Sequence, residues 1–181
     1  MKIIQRIAFL FSFSFLSACF ESNDENTWIV ATSADNPPYE YMYQGEIVGF
    51  DVDLMNEIGR HLGKNIKFKN MDFHGIIAAL SNQNVDMAIA GISITPERRR
   101  RVEFSIPYTG ANIAILYVKS KAVTTLDDLE GKTVGAQLGT IWAQVAHGLA
   151  VNKGFKTRSL ASNLLLIEEM KNSRIESIVI E

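Results

Sequence analysis

Arg98-Arg99-Arg100-Arg101 is the one basic run in the chain, and it is the first place to look for chemistry. An arginine carries a planar fork of N–H donors. It meets a carboxylate with two parallel charge-assisted hydrogen bonds and does not deprotonate. Just ahead, Thr95-Pro96-Glu97 spells a helix start: a threonine N-cap, a proline at the first helical position and an acid in the first turn. Arg98 therefore falls in a first turn, where main-chain N–H groups also favour an anion. Read alone, four arginines on a short helix, with Glu97 before them and Glu103 after, form a solvated face rather than a nucleic-acid or anionic-lipid patch.

Other sequence motifs lead nowhere. Gly131-Lys132-Thr133 looks like the tail of a P-loop, but Leu126 stands where the leading glycine must be. Gly135 to Gly139 lacks the dinucleotide-binding spacing. His61, His74, His147 and Cys19 have no ligand-like spacing, so no metal is expected. No nucleophile–base pair is visible, and no cofactor is expected.

The elements that must position Arg98 come from a chain of 181 residues, 47% hydrophobic and 21% charged, with a formal net charge of -2. That balance excludes a disordered chain and the basic composition usual of a nucleic-acid binder. The N-terminus stands apart. Lys2 and Arg6 precede an uncharged apolar run, Ile7 to Leu16, too short to span a bilayer and laid out like a secretory signal. It ends in Leu16-Ser17-Ala18-Cys19, which resembles the bacterial lipobox, whose cysteine becomes the lipidated first residue. Cys19 is the sole cysteine, so no internal disulfide is expected. Residues 20–27 are mostly polar and aperiodic, as suits a tether.

Beyond the tether, Trp28 to Thr32 reads as a strand and Ser33 to Pro38 as a loop. A helix follows, capped by Asp51, striped by Leu54, Met55, Ile58 and Leu62, and closed by Gly63. Ile66 to Lys69 is a second strand, Ile76, Ile77 and Leu80 line a second helix, and Met87 to Ile89 is a third strand. This order predicts a parallel sheet with covering helices. Ile113 to Val118 is a strand that leaves the first unit. A second unit carries a turn at Leu126 to Leu129, a strand at Thr133 to Ala136, and a helix from Ile141. A further helix bears Leu165, Leu166, Ile167 and Met170, and a last strand covers Ser177 to Ile180. Since the sequence stops there, the chain is expected to be a truncated product with an incomplete second lobe.

Five blocks carry a resemblance: GEIVGFDVDL (45–54), FHGIIAAL (73–80), DMAIAGISITPERRRRVEFSIPY (86–108), LEGKTVGAQLG (129–139) and RIESIVIE (174–181). In this order and spacing the chain resembles the family 3 solute-binding proteins, the polar-amino-acid receptors of ABC importers. The resemblance implies a periplasmic-binding-protein type II fold of two α/β lobes with a hinge. The divisions are residues 1–19 as signal peptide with lipobox, 20–27 as tether, 28–117 as the first lobe and 118–181 as a partial second lobe. It implies binding of a free amino acid, polar and possibly basic, and delivery to a membrane permease. The protein would sit in the periplasm or cell envelope, held to a membrane by a lipid on Cys19, with no nucleic-acid partner.

The same resemblance assigns roles. Arg98 falls on the arginine that pairs with the ligand's α-carboxylate, and Ser93 with the Ala90-Gly91 backbone on the shelf beneath it. Phe73 matches the ring against which the ligand side chain packs, and Ser33 and Asn36 border that side chain's pocket. Thr140 and Ile141 match the turn that closes over the carboxylate, and Glu181 the acid that holds the α-ammonium. Members that bind basic side chains often have aspartate at the position of Ser33 and an aromatic at that of Asn36. Asp35, Tyr39 and Glu40 lie near enough in the loop to substitute. A periplasmic cyclohexadienyl-type dehydratase on the same scaffold, a sensor input domain and a non-functional truncated remnant are the competing readings. With the second lobe incomplete, weak or absent amino-acid binding by this chain alone is expected.

Overall fold

Strand β1 (Thr27–Thr32) is the axis of the first unit. It pairs in parallel with β5 (Asn65–Asn70) on one side and β6 (Met87–Ala88) on the other, in the order β5-β1-β6. The computed structural model describes residues 26–110 and 112–180. The signal, most of the tether, Cys19 and Glu181 lie outside the described residues.

A parallel strand with two neighbours buries both faces, and β1 does so by alternation. Val30 packs with Met55 and Ile89 under helix α1 (Phe50–Leu62). Its neighbour Ala31 faces the other way, onto Ile76, Ala79, Val85 and Ala90 around helix α2 (Ile76–Ser81). The strand–helix–strand–helix–strand order expected of this unit is present.

Helix α1 differs from expectation at its start. Its N-cap is Gly49, with no side-chain cap, and Asp51 is the second helical residue, fully buried. The first N–H groups of the helix are satisfied instead by main chain: Phe50 N–H donates to the Pro38 carbonyl at 3.1 Å and Asp51 N–H to the Tyr39 carbonyl at 2.9 Å. Gly49 has φ 129°, and a Cβ there would lie 2.2 Å from the Tyr39 oxygen, so only glycine permits this approach. At the other end Gly63 is the left-handed C-cap, as expected. Leu62, assigned to the apolar stripe, is 59% exposed.

The segment expected as a loop, Ser33 to Pro38, holds the short strand β2 (Asp35–Asn36). With β3 (Glu40–Tyr43) and β4 (Glu46–Val48), from a stretch given no element in the sequence, it forms a small antiparallel sheet ahead of α1. Its hairpin turns on Gln44 and Gly45, both at positive φ, as a tight two-residue hairpin of this twist requires.

Thr95, Pro96 and Arg98 behave as read. Helix α3 is Pro96–Arg99, and Thr95 Oγ1 accepts from Arg98 N–H at 3.2 Å.

The second unit is a four-stranded sheet. β7 (Ala114–Tyr117), the strand expected to leave the first unit, pairs antiparallel with β10 (Ser177–Ile180). β10 runs parallel to β8 (Thr133–Gln137), which runs parallel to β9 (Lys156–Leu160). Helix α4 (Ile141–Lys153) covers one face over Val134, Ala136, Ala146, Phe155 and Val179. Helix α5 (Asn163–Lys171) covers the other over Leu166, Met170, Ile175 and Ile178. Side-chain caps start both: Thr140 Oγ1 accepts from Ala143 N–H, and Ser162 Oγ from Leu165 N–H.

Candidate functional site

Between the two units lies a cavity with about 490 Å³ of atom-free space, part of it open to solvent. Strand ends and helix starts of both sheets converge on it, as ligand sites of α/β folds do. The first unit contributes Ser33, Asp35, Asn36, Glu40, Phe73, Ala90, Gly91, Ser93 and Arg98. The second contributes Gln137, Thr140, Ile141, Trp142, Asn163, Val179 and Ile180. Every site residue expected from the sequence that lies among the described residues is therefore on this one wall. Glu181 is outside them, but its neighbours Val179 and Ile180 bring the end of β10 to the cavity.

Arg98 is the one member of its run that turns inward; Arg99, Arg100 and Arg101 are exposed. Its Nη1 donates to the Ser93 carbonyl at 2.7 Å and its Nη2 to the Gly139 carbonyl at 2.9 Å. The guanidinium also stands 5.6 Å from the centre of the Phe73 ring, a cation–π distance. Burial pulls its pKa below the ordinary value against the opposing charge of Glu97. An arginine nonetheless remains charged at any working pH. Phe73 is half-buried and so serves the cavity as a ring under the arginine as well as a wall.

Gly139 explains how the units approach so closely there. It has φ 85°, and a Cβ would fall 2.7 Å from His74 Cα. The Thr140 hydroxyl is engaged on its own side: it donates to the Gln137 carbonyl at 2.7 Å while capping α4.

A second crossing, not anticipated from the sequence, joins Asp35, Gln137 and Asn163. Asp35 Oδ2 accepts from Asn163 N–H at 2.8 Å and from Gln137 Nε2 at 3.1 Å. Ser33 Oγ donates to Asp35 Oδ1 at 3.4 Å, and Asn163 Nδ2 to Gln137 Oε1 at 3.4 Å. Desolvation raises the Asp35 pKa, and the donors from Asn163, Gln137 and Ser33 only partly offset it. Of the three loop residues named as substitutes, Asp35 and Glu40 line the cavity. Tyr39 instead packs edge-on against Phe50, with ring centres 6.2 Å apart.

Behind Glu40 runs a third buried group. Glu40 is 1% exposed and Asp51 0%. Tyr108 donates its hydroxyl to Asp51 Oδ2 at 2.9 Å and accepts from the Gly91 N–H at 3.1 Å. Burial first, then the neighbouring Asp51, pushes the Glu40 carboxyl from 4.5 up to about 10. Burial also raises Asp51, against hydrogen bonds from Tyr108 and Glu40 that favour its charge. The apolar body of Tyr108 stacks on Phe50 at 6.3 Å.

The comparisons with known proteins agree on one family. The family model of bacterial extracellular solute-binding proteins, family 3, matches residues 28–178. The arginine-binding extracellular protein ArtP of Bacillus subtilis is 39% identical over 171 residues, covering 92% of this chain and 67% of that protein. A solved ancestral arginine-binding protein bound to arginine superposes with a TM-score of 0.82 at 39% identity, over 86% of this chain and 70% of the other. An ancestral arginine-binding protein bound to glutamine gives the same TM-score and identity, covering 86% of this chain and 69% of that one.

Proposed function

The chain belongs to the bacterial extracellular solute-binding proteins, family 3, and we propose that it captures a free polar amino acid in the cell envelope and hands it to the membrane permease of an ABC importer. A basic amino acid such as arginine is the favoured ligand. The 39% identical protein of Bacillus subtilis is named for arginine, and Asp35 and Glu40 supply acidic groups to the cavity wall.

One observation carries the reading: Arg98 lies at the cavity wall with its guanidinium shared between Ser93 of one unit and Gly139 of the other. A ligand carboxylate docked on its remaining donors would hold both units at once. In this assignment Ser93 and the Ala90-Gly91 backbone form the shelf under the carboxylate, and Thr140 and Ile141 close over it. Phe73 packs on the aliphatic part of the ligand side chain, and Ser33 and Asn36 border its end. Glu181 takes the α-ammonium. Cys19 carries the lipid that keeps the receptor at a membrane.

Calorimetric titration of the purified chain with the free amino acids tests this. Micromolar or tighter binding of a polar amino acid supports the reading and overturns the expectation that this chain alone binds weakly. Absence of binding by the whole set would favour a remnant, and turnover of a cyclohexadienyl acid would favour the dehydratase alternative.

A further inference from the structure

Glu40 and Asp51 raise a problem of accounting. Both are buried, and each leaves one carboxyl oxygen without a hydrogen-bond partner: Glu40 Oε2 and Asp51 Oδ1. Two ionised carboxylates side by side in a desolvated site repel one another, whereas a single shared proton gives the pair a donor and removes a charge. The other oxygen of Asp51 is already held by the Tyr108 hydroxyl, which is held in turn by the Gly91 N–H. Asp51 is thus equipped to keep the negative charge and Glu40 to carry the proton. Glu40, unlike Asp51, lines the cavity.

The groups facing this pair share its sign or are neutral. Asp35 on β2 acts on Glu40 through its charge, and Asp72 acts on Asp35. Tyr108 and Asn36 are its uncharged polar partners. Among the described residues lining the cavity, Arg98 is the one lysine or arginine, and its guanidinium is engaged by Ser93 and Gly139. A positive charge at the Glu40 end has to arrive with a ligand.

We propose that Glu40 and Asp51 hold one proton between them in the ligand-free protein, and that a cationic amino-acid side chain entering the cavity displaces it to solvent. The proposal rests on the amino-acid-binding reading above and adds a coupling to it. The O–H bond of Glu40 breaks, the proton passes to water, and the new carboxylate is balanced by the incoming guanidinium or ammonium. An uncharged side chain such as that of glutamine leaves the proton in place between Glu40 and Asp51. The same pocket can therefore present an anion to one ligand class and a neutral acid to another. The strong upward push on the Glu40 carboxyl agrees with a proton retained at neutral pH.

The experiment is calorimetric titration at pH 7 in buffers of different ionisation heat, with arginine and with glutamine, on the wild-type chain and on Glu40→Gln. It is paired with a carbon-13 NMR titration of the side-chain carboxyls of the ligand-free protein. The Glu40 signal is assigned by its loss in the variant. Arginine is expected to release about one proton from the wild type and about none from Glu40→Gln, since one group changes state. Glutamine is expected to release about none from either. Arginine binding with the same heat in every buffer overturns the proposal, as does a Glu40 carboxyl already ionised at pH 7. If neither amino acid binds, the functional reading fails on its own, and the carboxyl titration still decides whether the pair holds its proton.

Discussion

Arg98 donates from Nη2 to the Gly139 carbonyl at 2.9 Å, so a side chain of the first unit grips the main chain of the second. The same guanidinium holds the Ser93 carbonyl on its own side at 2.7 Å. One residue thus fixes the floor of the cavity and the distance across it.

Arg98→Ala is expected to weaken every amino acid alike, by roughly 2–5 kcal/mol, because it removes the partner of the group all of them share. Calorimetry on a panel of ligands measures this. A variant that binds as tightly but prefers a different amino acid would show that Arg98 reads the side chain instead.

Gly139→Ala places a Cβ 2.7 Å from His74 Cα on a residue at φ 85°. The strain, about 1–3 kcal/mol, is relieved by moving the units apart. Small-angle scattering should show a larger radius of gyration, and ligand affinity should fall while each sheet stays folded. Unchanged scattering and affinity together would contradict so close an approach.

Glu40 ties stability to pH. Its carboxyl ionises near 4.5 in an unfolded chain but is pushed up to about 10 in the fold, chiefly by burial and then by Asp51. Between those values the native state binds more protons than the unfolded state, so stability falls as pH rises, by at most about 1.4 kcal/mol per pH unit for one group. Urea denaturation at pH 5, 7 and 9 should show this decline in the wild type and a flatter profile in Glu40→Gln. Equal slopes would place the charge elsewhere.

Tyr108→Phe removes a hydroxyl that serves the buried Asp51 Oδ2 and the half-buried Gly91 N–H. Leaving them unpaired should cost about 1–3 kcal/mol of stability, read as a lower denaturant midpoint. An unchanged midpoint would mean that water fills the gap.

Much of this was legible in the sequence because local rules and tertiary needs coincide. The Thr95-Pro96 start of α3 and the Gly63 stop of α1 are satisfied by their neighbours in the chain. Where distant residues set the outcome, the reading missed. Asp51 has the right type for a cap, but the Pro38 and Tyr39 carbonyls take that role and Asp51 is buried against Tyr108, 57 residues away. β9, with Lys156 and Arg158 on an edge strand, has too weak an apolar alternation to stand out. The hairpin before α1 carried one signal that was passed over: Gln44-Gly45, a tight-turn pair between β-prone residues.

The candidate site divides the same way. Nine expected residues share one wall, since their block spacing fixes them on strand ends and helix starts. Gln137 and Asn163 were invisible because their importance lies in reaching Asp35 from the second unit, 102 and 128 positions along the chain. Sequence separations of that size leave no local pattern.

The seat of α1 has one more consequence. Main-chain carbonyls of Pro38 and Tyr39, over a glycine that admits no substitute, hold the first turn of the helix. The side chains at positions 33 and 36 take no part in that anchorage, although both border the cavity. Changes there leave the first turn of the helix seated. A lineage built on this scaffold can vary that stretch of cavity wall without unseating the helix beneath it.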